Sequence, residues 1–86
     1  MLAANVAYNT TLTSLNIARK GINDVVGKEL AGMLAKNNVI RKLELEGNKL
    51  GPESIKHFGR ALLENTTLRV LDLENNDIYK DKDAPL

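Results

Sequence analysis

The chain has 86 residues, with 12 Lys and Arg against 11 Asp and Glu, and 43% of its residues are apolar. That is one domain at most, too apolar to be disordered, and its near-zero balance gives no global field for nucleic acid or a membrane surface. No cysteine and only three aromatics, Tyr8, Phe58 and Tyr79, exclude disulfides, thiolate metal sites and base-stacking platforms.

From the N-terminus, "MLAANVAYNTT" lacks the basic start of a signal peptide, and no apolar run approaches the ~18 residues of a spanning helix. The expectation is a cytoplasmic protein. A frame then begins at Leu12 and returns every 28 residues. Leu12, Ile40 and Leu68 share a column, as do Leu15, Leu43 and Leu71, then Ile17, Leu45 and Leu73, then Ile22, Leu50 and Ile78. Leu30 aligns with Phe58, Leu34 with Leu62, and Asn9 with Asn37 and Asn65. Columns in register at this period predict a stacked array, in which no unit buries its apolar face alone.

Each unit carries two periods. "LELEGNKL" alternates, predicting a short strand with Leu43 and Leu45 inward, and the last strand is placed at Leu71 to Leu73. A helix at about 25 to 36 follows the first strand, with Asp24 as its expected N-cap. "PESIKHFGRALLEN" predicts the next, with Pro52 in the first turn and Ile55, Phe58 and Leu62 as its apolar stripe. Gly32 and Gly59 are expected where neighbouring helices pack closely. Strands joined through helices run parallel with right-handed crossovers, so strands line the inside and helices the outside.

The frame L-x-x-L-x-L-x-x-N-x-L on a 28-residue unit resembles the ribonuclease-inhibitor-like class of leucine-rich repeats. That class includes Ran GTPase-activating protein, cytosolic nucleotide-binding receptors and the tropomodulin–leiomodin C-terminal domains. The resemblance covers residues 2 to 78. It implies an α/β right-handed solenoid, a horseshoe segment, with asparagines bonding the backbone of adjacent repeats. Asn48 and Asn76 hold that position; Lys20 replaces it in the first unit, which implies a less regular first strand. Residues 1–78 are thus a repeat segment, with a partial leading helix at 1–9 and repeats starting at 12, 40 and 68. Residues 79–86 form a charged tail. The last strand is expected as an open edge, calling for further repeats or an oligomer contact.

On the inner sheet face one outward column holds Asn16, Glu44 and Asp72, the next Ala18, Glu46 and Glu74. Strands ~4.8 Å apart, with ~7 Å between alternate residues, cluster the four carboxylates, and facing like charges cost stability. A partner protein with a basic surface is one reading, with Arg41 and Arg69 as a secondary basic edge. A solvated face balanced by Arg41, Lys42 and Arg69 is the other. Oxygen-only ligands suit calcium, but no loop has an ion-binding spacing, so neither a metal nor a cofactor is expected.

His57 is the only histidine, with Glu53 four residues before it; no nucleophile or second histidine accompanies it, so no enzyme is expected. "GNKLGPE" lacks the features of a phosphate loop. Asn9-Thr10-Thr11 and Asn65-Thr66-Thr67 match the glycosylation acceptor, but their place in the frame reads as a helix-to-strand turn. The leading expectation is a non-catalytic protein-binding module using the concave face. The alternatives are a structural piece of a cytoskeletal, ciliary or receptor assembly, touching neighbours through its ends and convex residues Lys28, Lys56, His57 and Arg60, and, more remotely, a GTPase regulator.

Overall fold

The structure, a computed structural model, describes residues 12–78. The proposed leading half-helix, the Asn9 sequon and the charged tail lie outside them. The described chain runs β1 (Ser14–Asn16), α1 (Asp24–Lys36), β2 (Lys42–Glu44), α2 (Pro52–Glu64) and β3 (Val70–Asp72). The strands form one parallel sheet in the order β1-β2-β3, with Leu15 opposite Leu43 and Leu43 opposite Leu71. The 28-residue frame is therefore the strand register itself. β1 is as long as its neighbours and in the same register, so the lysine at position 20 does not make the first strand irregular.

The core is the frame made solid. Ile17, Ile22, Ile40, Leu43, Leu45 and Leu50 from the strands and turns meet Leu30, Met33, Leu34 and Phe58 from the helices. Leu34 is fully buried, whereas Leu62, its equivalent one repeat later, is 43% exposed. This corrects the expected stripe of α2, whose buried residues are Ser54, Phe58 and Ala61. α2 covers Leu34, while no described element lies on the far side of α2 to cover Leu62. A repeat's apolar face is completed by its neighbour, and position in the stack decides burial.

Two asparagine ladders tie the repeats together. Asn48 Oδ1 accepts from the Lys20 and Ile22 amides at 2.9 and 3.1 Å, and its Nδ2 donates to the Ile17 and Leu45 carbonyls at 3.0 and 2.9 Å. Asn76 repeats this one unit later, accepting from Leu50 N–H at 3.0 Å and donating to Leu45 O at 2.9 Å. At the opposite turn, Asn65 Nδ2 donates to Leu34 O and Asn37 O, both at 2.8 Å, while its Oδ1 accepts from the Thr67 and Leu68 amides. The Asn65 sequon is thus occupied as a structural turn, its amide nitrogen committed to backbone carbonyls.

Two local expectations are corrected. The N-cap of α1 is Asn23, in extended backbone, whose side chain accepts from the Val25 and Val26 amides. Asp24, one residue on, caps the next helix instead. Its Oδ1 accepts from Gly51 N–H at 2.8 Å, Ser54 N–H at 3.2 Å and the Ser54 hydroxyl. Gly51 begins α2 with no side-chain cap of its own, and a Cβ there would sit 2.9 Å from Asp24 Oδ2. Close helix packing falls at Gly27, where a Cβ would collide with Ser54 Oγ and lie 2.8 Å from Leu50 Cδ2. Among the described residues, nothing lies within 4 Å of a Cβ at Gly32 or Gly59.

Candidate functional site on the concave face

The inner sheet face is built by alternation. Leu43 points into the core, leaving Lys42 and Glu44 on the other face of β2. Register then sets Asn16, Glu44 and Asp72 side by side on three strands. Glu44 is half-buried and pairs with Lys42 Nζ at 3.6 Å. Asp72 Oδ1 accepts from its own Glu74 amide at 3.0 Å, as Asn16 Oδ1 does from Ala18 at 3.0 Å. Part of the hydrogen-bonding capacity of Asp72 is therefore spent on closing a turn.

Glu46 and Glu74 do not lie on the strands. They fall in the turns beyond β2 and β3, because each strand is only three residues long. Their backbones stay aligned across repeats: Arg19 N–H donates to Glu46 O and Gly47 N–H to Glu74 O, each at 3.0 Å. The turns need a left-handed residue, supplied by Arg19, Gly47 and Asn75 with φ of 54°, 71° and 56°. Glu46 is half-buried, and its Oε2 is shielded from water without a hydrogen-bond partner. Glu74 is exposed. The four carboxylates thus split into a strand pair and a turn pair on one rim.

Arg41 and Arg69 share a column at the other end of the strands, where Arg69 N–H donates to Arg41 O at 2.7 Å. Both side chains are exposed, and Arg69 Nη1 reaches Thr66 O at 3.3 Å. They are not the counter-charge of the carboxylates; Lys42 takes that role for Glu44. Among the described residues, no group of three or more His, Asp or Glu is placed to hold a metal ion. None of the helices among them is long and apolar enough to cross a membrane.

The titration of Asp24 is displaced. Burial pushes its carboxyl up, but the Ser54 hydroxyl, the Gly51 and Ser54 amides and nearby His57 outweigh this and hold it below the ordinary aspartate value. It is a structural carboxylate, 27 residues from the amide it caps, and no local sequence signal marks it. His57 is half-buried on α2 and does not bond Glu53, which pairs with Lys56 at 3.3 Å.

A leucine-rich repeat model matches residues 8–31, 36–59 and 64–79. The chain belongs to the leucine-rich repeat family. It is similar to the solved structure of leiomodin-1 actin-binding site 2, with 31% sequence identity and a TM-score of 0.86. The match covers 93% of this chain and 47% of that one, so the chain spans about half the length of that structure. Among curated protein sequences, none matches. The repeat match agrees with the parallel sheet, the outer helices and the ladder positions of Asn48 and Asn76.

Proposed function

We propose that this repeat segment is a non-catalytic protein-binding module that receives a basic protein surface on its concave rim. Glu44, Glu46, Asp72 and Glu74 supply the negative charge, and Arg41 and Arg69 border it as a basic edge. The observation that carries this reading is the strand register that sets Glu44 and Asp72 side by side, with Glu46 and Glu74 in the turns just beyond. Like charges facing each other across strands cost stability, and an incoming ammonium or guanidinium relieves that cost while fixing orientation. The solved structure it resembles is an actin-binding site of leiomodin-1, which supports a protein partner and makes actin the first to test.

The experiment titrates monomeric and filamentous actin with the chain and with a Glu44→Lys, Glu46→Lys, Asp72→Lys, Glu74→Lys variant, each checked for folding by circular dichroism. Binding by the first and not by the folded variant supports the concave rim. Equal binding by both moves the contact to the outer helices or the sheet edge, and absence of binding by either removes actin as the partner. A second reading, assembly through β3 and the outer surface of α2, draws on Val70 and Leu63, which are 45% and 87% exposed.

A further inference from the structure

On the convex side, α1 and α2 pack side by side and are tied near their C-terminal ends by Asn65 Nδ2 on the Leu34 carbonyl. They meet at Gly27 and Ser54. Beyond that contact, a groove of about 280 Å³ opens over a floor of Ala31, Gly32, Ala35 and Ala61. The cause is legible in the repeat: one unit later, the positions of Gly32 and Ala35 hold Arg60 and Leu63. Small residues on α1 leave space that bulk on α2 does not fill. Lys28, His57 and Arg60 line the same groove, with Glu64 as its single acid.

Size and charge together define an occupant. At about 280 Å³ the groove sits at the lower end of small-molecule pockets, which run ~300–1,000 Å³, and has ample room for one aliphatic side chain. Among the described residues, no Phe, Tyr or Trp lines it. Among the described residues, neither Lys28 nor Arg60 has an ion-pair partner. An apolar floor bordered by two unpaired cations complements an aliphatic side chain flanked by carboxylates.

We propose that this groove docks a short acidic segment of a partner protein, which seats one aliphatic side chain over Ala31, Gly32 and Ala35 and sets its carboxylates against Lys28 and Arg60. This surface is separate from the concave rim, takes the opposite charge and stands independently of the reading given for that rim.

The test titrates the isotope-labelled chain with the peptide acetyl-Glu-Glu-Leu-Glu-Glu-amide and follows backbone amide shifts by NMR. Shifts at Lys28, Gly32, Ala35 and Arg60 are expected, with about tenfold weaker binding when glutamine replaces glutamate. Gly32→Leu fills the groove and abolishes the shifts. It is expected to fold, because a Cβ at Gly32 meets nothing within 4 Å among the described residues and leucine is the better helix former. A Lys28→Glu, Arg60→Glu variant, changed only at exposed positions, is likewise expected to lose binding. Undiminished binding by either folded variant, shifts confined to the concave face, or no shift at millimolar peptide each overturns the proposal.

Discussion

Replacing Asn48 with alanine tests the idea that backbone satisfaction across repeats, as much as the leucine core, holds this array together. Asn48 is 4% exposed, and its side chain serves four backbone groups: the Lys20 and Ile22 amides and the Ile17 and Leu45 carbonyls. Three of those four bonds are buried, and the Lys20 bond is partly so. A buried polar group left unpaired costs about 1–3 kcal/mol. With water reaching the Lys20 amide and partly relaxing the rest, the sum is about 4 kcal/mol. A chain of this size has roughly 4–13 kcal/mol in total, so the loss takes between about a third and nearly all of its stability. Urea titration followed by circular dichroism measures this. At a slope of ~1 kcal/mol per molar urea, the midpoint falls by about 4 M. Asn76→Ala, at a half-buried site, is expected to lose about half as much. A loss below about 1 kcal/mol for Asn48→Ala would refute the reasoning and return the stability to apolar packing alone.

The Asp24 cap predicts an acid-sensitive joint between helices. Its folded pKa lies below the unfolded one, so its contribution is fully present above the unfolded value and is lost as pH falls through the folded value. Asp24→Asn is expected to cost about 1 kcal/mol at pH 7 and to flatten the loss of stability between about pH 5 and pH 2, read by urea titrations across that range. Gly27→Ala forces α1 and α2 apart at Ser54 and Leu50 and is expected to cost about 1–3 kcal/mol. Gly32→Ala, with open space around it among the described residues, is expected to gain about 0.5–1 kcal/mol; thermal denaturation of the two variants checks the opposite signs. Leu43→Ala, fully buried on the middle strand, is expected to cost about 2–5 kcal/mol. Leu71→Ala, half-buried on β3, should cost clearly less, and equal losses would mean that β3 is as well covered as β2.

What the amino-acid sequence determined by itself is the frame. Alternation at Leu43 and Leu45, a helical stretch beginning at Pro52 and a strict 28-residue return leave stacked parallel units as the consistent reading, and the β1-β2-β3 register follows from it. Asn48 and Asn76 were legible as ladder residues because family resemblance marks their position in the turn. Distances between repeats were not legible, and there the tertiary structure decided. Asp24 looks like a cap for its own helix, yet Asn23 takes that place and the carboxylate reaches Gly51 and Ser54 across the stack. Gly27 marks the close approach, while Gly32 and Gly59 do not, because helix rotation against a neighbour is set by side-chain bulk on both. Glu46 and Glu74 extend an alternating pattern past the point where pairing stops. Local periodicity says which face a residue belongs to; only the packed neighbour determines what that face meets.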